Sequence, residues 1–269
     1  YSGLNPMEKK SVTNAGVMKN AFDEYCSKYT QENDDLLLGF DFENKSLADA
    51  GNRVTAEGND AITFVDGRTP GTTAAHFTDY DFCGVAFDSS SYDPLAAAGD
   101  ALTLSTWVKF DAVPANNTTL YMIKSMSGGS FGYVRLKANS SSYIVSIRPV
   151  NGTEVLLQTN TVPLAGQWTL LTYVQEGDIG RFYVNGLLLA ESVMPSITSL
   201  RQNGGASYSY LFTVGSGNEW AVDPDPEGAM DSFDFYNRAL SSDEILNAYD
   251  SGAAAKRTEV LSPAAANGG

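Results

Sequence analysis

The sequence predicts an all-β fold, a sandwich of two antiparallel sheets, with a short helix at each end. Three observations predict it. From Leu36 onward, short apolar runs rich in Val, Ile, Phe, Tyr and Thr alternate with clusters of Gly, Asn, Asp and Pro, the rhythm of strands and turns. Asn185-Gly186 lies between RFYV and LLLAESV, and a type I′ turn needs two positive φ angles that Asn and Gly tolerate, so these runs pair antiparallel. Helical spacing or a helix cap is found only near the two ends.

Taken in order, Val12 to Tyr29 places Val17, Ala21, Tyr25 and Tyr29 four apart, on one face of an amphipathic helix. Residues 1–35 are expected to form an arm that packs on the sandwich. The strand candidates are Leu36–Glu43, Cys83–Asp88, Ala101–Phe110, Thr119–Met126, Tyr133–Lys137, Tyr143–Val150, Trp168–Gln175, Arg181–Val184, Leu187–Val193, Tyr210–Gly215 and Ala229–Tyr236. They make residues 36–252 one domain, since all-β sandwiches routinely use more than about two hundred residues as a single unit. Ser241 and Glu244 have the spacing of a capping box, so a helix is expected to run to about Tyr249 with Ile245 and Tyr249 facing inward. Residues 253–269 are small and polar and are expected to be a loose tail.

Bulk composition bounds the function. With 17 basic against 32 acidic residues the net charge is −15, which repels nucleic acid phosphates, so nucleic acid is excluded as a partner. No apolar run approaches the roughly twenty residues of a membrane helix, and a soluble chain is expected. The 43% hydrophobic content is ample for a core. Cys26 and Cys83 are too far apart for a CxxC metal or redox motif. They either close a long loop as a disulfide, stabilising by about 4 kcal/mol, or remain two buried thiols. The chain begins at Tyr1 without a leader, which is read as a mature or trimmed exported protein.

Alternation within ALTLSTWVKF puts Leu102, Leu104, Val108 and Phe110 on one face and Thr103, Ser105, Trp107 and Lys109 on the other. Tyr133 and Arg135 likewise oppose Val134 and Leu136, and Arg148 is out of phase with Val145 and Ile147. An aromatic ring with Arg, Lys and Ser on one curved sheet can grip a sugar, its apolar face on the ring and its hydroxyls on the polar groups. Trp107 packed under a loop or under the N-terminal helix is the alternative. Trp168, in phase with Leu170, Thr172 and Val174, is assigned to the core. The loop NEWAVDPDPEG carries Trp220 beside Asp223, Asp225 and Glu227, and reads either as a sugar platform or second cation site, or as a polar rim loop.

Four segments in order resemble laminin-G-like domains of bacterial secreted and surface proteins in the concanavalin A-like lectin/glucanase superfamily. GFDFENKSLADAGN resembles the first-strand motif, LTLSTWVKF the central strand, GQWTLLTYVQEGDIGRFYVNGLLLAES the tryptophan strand with its hairpin, and GAMDSFDFYNRALSSDEI the closing signature. The resemblance implies a jelly roll with one curved sheet and binding loops at its rim. It also implies a structural calcium tying the first loop to the closing strand, at positions matching Glu43, Asp49, Asn52 and Asp231. Without an ion, Asp49 is a turn former and Asp231 a surface residue. Secreted, periplasmic or cell-surface display is implied, lipid anchoring being left open.

The glucanases of the superfamily carry paired carboxylates at E-x-D-x-x-E or a related spacing, and this pattern is absent here. Asp231 and Asp234 are three apart and face opposite sides of a strand, and His76 has no evident partner. The leading expectation is a non-catalytic, lectin-like domain whose partner is a glycan or polysaccharide, contacted by Trp107, Lys109, Tyr133, Arg135, Arg148 and Trp220. A protein-adhesion domain with surface-protein partners is the second, and a glycoside hydrolase the third.

Overall fold

A computed structural model describes residues 35–51, 53–58, 62–78, 83–88, 94–127, 130–200, 209–215 and 226–261. The expected N-terminal helix, Cys26, Asn52 and Trp220 lie outside the described residues. Strands dominate the rest, in two antiparallel sheets. The first sheet contains β1 (Leu36–Phe40), β3 (Thr63–Asp66), β4 (Thr73–Phe77), β6 (Ala101–Phe110), β11 (Thr169–Glu176), β12 (Ile179–Val184), β13 (Leu187–Val193) and β15 (Gly228–Tyr236). The second contains β2 (Glu57–Gly58), β5 (Cys83–Asp88), β7 (Thr118–Ser127), β8 (Ser130–Ala138), β9 (Tyr143–Arg148), β10 (Val155–Gln158) and β14 (Ser209–Val214). Their orders are β13-β12-β11-β6-β15-β4-β3, with β1 also on β15, and β10-β9-β8-β7-β14-β5-β2.

The expected jelly-roll sandwich is what forms. The main core lies between the sheets and is filled by the residues that alternation assigns inward: Leu102, Leu104, Val108 and Phe110 of β6, Val134 and Leu136 of β8, Val145 and Ile147 of β9, and Phe233 and Phe235 of β15. Eleven expected strands are present with ends moved by a few residues, except that β1 stops at Phe40, three residues short of the expected Glu43. Phe42 and Asn44 break the chain with φ of 57° and 54°. Four strands, β2, β3, β4 and β10, are additional. β4 is central rather than marginal, and Ala74 and Ala75, both wholly buried, let it fit between β3 and β15 while covered on both faces.

The Asn185-Gly186 turn has φ of 53° and 82°, as a type I′ hairpin requires. A Cβ on Gly186 would lie 2.9 Å from Leu246 Cδ1, the movable end of a partly exposed side chain, so it is the φ of 82° that favours glycine here. Beyond it, the helix Ser242–Leu261 is longer than expected, because Ala-Ala-Ala-Lys-Arg, read as a loose tail, continues a helix readily. The capping box is present: the Ser241 amide donates to Glu244 Oε2 at 2.8 Å and the Glu244 amide donates to Ser241 Oγ at 3.3 Å.

Hydrogen bonds from Arg238 outweigh partial burial and, with the Ser241 contacts, hold the Glu244 carboxyl down to about 2. A depressed carboxyl stabilises above its unfolded value of 4.5 and loses that contribution as pH falls toward 2. Replacing Glu244 by Gln is expected to cost about 0.5 kcal/mol at pH 7, discounted for the exposure of the carboxyl, and nothing at pH 2. Urea unfolding at both pH values measures this, and a gap that does not change with pH contradicts it.

Candidate functional site

The sandwich has two outward faces, and they differ. On the first sheet, residues that point away from the main core meet the C-terminal helix. Trp107, 5% exposed, stacks on Tyr249 with ring centres 6.0 Å apart and planes 18° apart, and the Arg68 guanidinium carbon sits 4.4 Å from its ring centre. Ala74, Trp168, Leu170 and Ala229 complete this second cluster, while Ile245 packs on Val174 and Tyr183 beside it. Trp107 is therefore a packing residue, and its cover is the C-terminal helix. Trp168 is buried too, though in this outer cluster rather than between the sheets. Lys109 lies on the same side, its ammonium 5.0 Å from the Trp168 ring centre.

The second sheet turns Tyr133, Arg135 and Arg148 outward on the opposite side of the molecule, so Trp107 and Lys109 do not join them. Register places Tyr133 between Lys124 and Arg148, and Arg135 between Met122 and Ser146. On this side the outward Met122, Tyr133, Lys137, Ile144 and Ser146 are buried. Phe131, which the sequence reading passed over, is the open aromatic here, 40% exposed. It stacks on Tyr133 with centres 6.3 Å apart, and its ring is flanked by the Arg148 guanidinium at 4.4 Å and the Lys124 ammonium at 5.4 Å. Gly132 lets this happen. A Cβ there would fall 2.7 Å from the Arg148 carbonyl, so only glycine allows the end of β9 so near the two aromatics.

Arg135 anchors the neighbouring part of the face. Its guanidinium lies 4.3 Å from the Tyr133 ring centre, and its Nη2 donates to the Tyr133 hydroxyl at 3.2 Å and to Glu154 Oε1 at 3.1 Å. Lys137 Nζ approaches the same carboxylate oxygen at 3.9 Å. Burial opposes the ionisation of Glu154, but the Ser146 hydroxyl, Arg135 and Lys137 outweigh it and hold the carboxyl below its usual value. Burial also raises the Tyr133 phenol, which stays a neutral hydroxyl at physiological pH.

Three of the four expected calcium ligands are among the described residues, and they divide. Asp49 is buried and saturated: its carboxylate accepts from the Gly39, Gly51 and Arg53 amides and from Arg53 Nε at 2.8 Å and Nη2 at 2.9 Å. Burial resists that charge, and the Arg53 and backbone hydrogen bonds overcome it, depressing the carboxyl. Glu43 and Asp231 reach one hairpin instead, Glu43 accepting from the Thr73 amide and Asp231 from the Arg68 amide. Asp231 is the extra residue of a β-bulge in β15, which turns it toward Arg68, whose Nε is 3.8 Å away. Asp234 is pushed up to about 7 by burial first, then by the nearby Asp41 charge. All donors at this corner are hard carboxylate oxygens, which fits calcium in kind. Among the described residues no three acidic, His or Cys side chains are grouped together. His76 does have a partner, its Nε2 lying 2.8 Å from Asp111 Oδ2.

Two antiparallel sheets packed as a jelly roll define a class of β-sandwich domains. The sequence profile of the concanavalin A-like lectin/glucanases superfamily, of laminin-G type, matches residues 85–246, and the chain belongs to that family. No curated protein matches it. Among solved structures, domain 4 of an extracellular family GH43 arabinanase from Geobacillus stearothermophilus, in complex with arabinotriose, is 20% identical with a TM-score of 0.60, over 79% of this chain and 97% of that one. The binding domain of botulinum neurotoxin DC, in complex with SialylT, is 13% identical with a TM-score of 0.59, over 82% of this chain and 52% of that one. The binding domain of Paraclostridial Mosquitocidal Protein 1 is 17% identical with a TM-score of 0.59, over 82% and 53%. The chain thus spans about half the length of the toxin binding domains, and these likenesses establish the fold.

Because Trp107 carries packing, Trp107→Ala is expected to cost about 3 kcal/mol or more. Chemical denaturation measures it. A cost under about 1 kcal/mol would mean that the helix does not seal this face.

Proposed function

We propose that the chain is a non-catalytic carbohydrate-binding domain of an exported protein, secreted, periplasmic or displayed at the cell surface, and that its ligand lies on the outer face of the second sheet. One observation carries the reading: Phe131, 40% exposed, is an aromatic platform flanked by the hydrogen-bond donors Arg148 and Lys124 on the outer side of β8. An aromatic ring binds the apolar side of a pyranose or furanose while flanking donors bind its oxygens. The carbohydrates bound by the arabinanase domain and the botulinum DC domain add support by analogy of fold. Glu154 is the only carboxylate on β7 to β10, whereas hydrolysis of a glycoside ordinarily needs two.

Phe131→Ala is expected to abolish binding on a glycan array at unchanged melting temperature, while Arg181→Gln, on the other sheet, leaves binding intact. Undiminished binding by Phe131→Ala would move the ligand elsewhere.

Calcium belongs to this proposal as a structural ion. Glu43 and Asp231 would hold it, and it would tie the first loop to the closing strand; Asp49, taken by Arg53, would serve that loop without the metal. Millimolar calcium is then expected to raise the melting temperature by a few degrees relative to chelator, by mass action on the folded state, and Asp231→Asn to remove the rise. Equal melting in calcium and chelator would remove the ion from the proposal.

A protein-assembly role has its own supporting observation. β13 exposes Leu187, Leu188, Leu189 and Val193 at 42 to 62%, and among the described residues it pairs only with β12.

A further inference from the structure

Among the described residues the tripeptide Val-Asn-Gly occurs at 150–152, in the connection from β9 to β10, and again at 184–186, in the β12–β13 hairpin. Asn-Gly pairs are chemically labile in a defined way. Without a Cβ on glycine, the amide nitrogen that follows Asn can approach the side chain. That nitrogen attacks Asn Cγ, its proton passes to solvent, and the side-chain nitrogen leaves as ammonia, closing a succinimide ring. Water then opens the ring at either carbonyl, giving Asp or isoaspartate, whose main chain runs through the former side-chain carbon. Water is consumed and ammonia released, with no oxidant, reductant or cofactor.

Because the two tripeptides are identical, local sequence gives them the same reactivity and only the fold can separate them. Asn185 is clamped to β11: its Oδ1 accepts from the Leu170 amide at 2.9 Å and its own amide donates to the Leu170 carbonyl at 2.8 Å. Gly186 beside it is buried. Asn151 is exposed, and its side chain makes no hydrogen bond among the described residues. The attacking nitrogen there is restrained by a turn bond, from the Gly152 amide to the Pro149 carbonyl at 2.9 Å. Backbone conformation does not divide the two sites, since both asparagines are left-handed, with φ of 60° and 53°. A surface turn opens locally at little cost, whereas the clamp on Asn185 opens only with the hairpin. The turn also holds its glycine in place, because a Cβ on Gly152 would fall 2.9 Å from Pro149 Cβ.

We propose that Asn151 is a site of spontaneous deamidation, cyclising through Gly152, while Asn185 is protected by the fold. The product acts on the Phe131 platform. Arg148 Nε donates to the Gly152 carbonyl at 3.3 Å, and the same guanidinium lies 4.4 Å from the Phe131 ring centre. Isoaspartate lengthens the main chain just before Gly152 and adds a carboxylate one residue from the carbonyl that holds Arg148. The cation beside the aromatic platform therefore shifts as the protein ages. Modification itself depends on no ligand, and only its bearing on sugar binding rests on the carbohydrate-binding reading.

The test is peptide mass mapping of the whole chain, incubated in warm, mildly alkaline buffer and sampled over weeks, with isoaspartate distinguished from Asp. Expected is conversion at Asn151 at least roughly tenfold faster than at Asn185, the gap being set by local opening, with isoaspartate the major product. In denaturing urea the two positions should convert at similar rates. Gly152→Ala, compared in urea where folding plays no part, should slow the Asn151 reaction alone. Conversion at Asn151 no faster than at Asn185 in the folded chain overturns the proposal. A gap that persists in urea overturns it as well, by tracing the difference to something other than the fold. The Arg148 Nε–H proton resonance, displaced by the Phe131 ring current, should move in the isoaspartyl form toward its position in Phe131→Ala, and an unmoved resonance overturns the link from turn to platform.

Discussion

The architecture depends on β6 being buried on both sides. Its inward residues, Leu102, Leu104, Val108 and Phe110, build the core between the sheets, and its outward Trp107 builds a second, smaller core with Tyr249 of the C-terminal helix and with Arg68. Its neighbours β11 and β15 inherit the same arrangement through Leu170 and Ala229. A sandwich whose sheets each expose one face would offer two surfaces to a ligand. Docking the helix on the first sheet spends part of that surface on stability, and on β8 of the second sheet Phe131 stays exposed among the described residues.

Arginine performs the stitching that holds the early chain to the late strands. Arg53 locks the loop after β1 by engaging Asp49, and three backbone amides complete the cage. Arg68 links the β3–β4 hairpin to the bulged Asp231 of β15 and covers Trp107 with the same guanidinium. Planar and always charged, guanidinium can satisfy a carboxylate at its edge and an aromatic ring at its face, which an ammonium cannot do. One side chain therefore ties the acidic corner of the closing strand to the outer core.

Much of this was legible in the sequence where the physical signal was local. Alternation in ALTLSTWVKF sorted β6 correctly, and Asn185-Gly186 and Ser241…Glu244 placed a hairpin and a helix start because turns and caps act over a few residues. Other local signals left choices open. Trp107, outward on its strand, could contact a sugar or pack under another element, and nothing within the strand reveals that Tyr249, far along the chain, will cover it. Asp49 was matched to a calcium site by family resemblance, and the place of its partner Arg53 in a cage of amides exists only in three dimensions. Phe131 was missed for a smaller reason: the Gly-Gly before it obscured the strand start, although it shares parity with Tyr133 and Arg135 and alternation extended by one step would have found it. β4 was passed over because its alanines read as weak strand formers, yet small side chains are what a strand covered on both faces needs.

The open face gains its order from the same pairing of cation and ring that closes the other side. Arg135 rests on Tyr133, Arg148 on Phe131, and Glu154 fixes Arg135 from the strand edge. Each long side chain is thereby held before any ligand arrives, so little rotamer entropy remains to be lost on binding. The difference between the two faces lies in what sits above the stack. Over Trp107 the chain supplies Tyr249 from its own helix. Phe131 keeps two fifths of its surface exposed, so the position that Tyr249 fills on one side remains accessible to a sugar ring on the other.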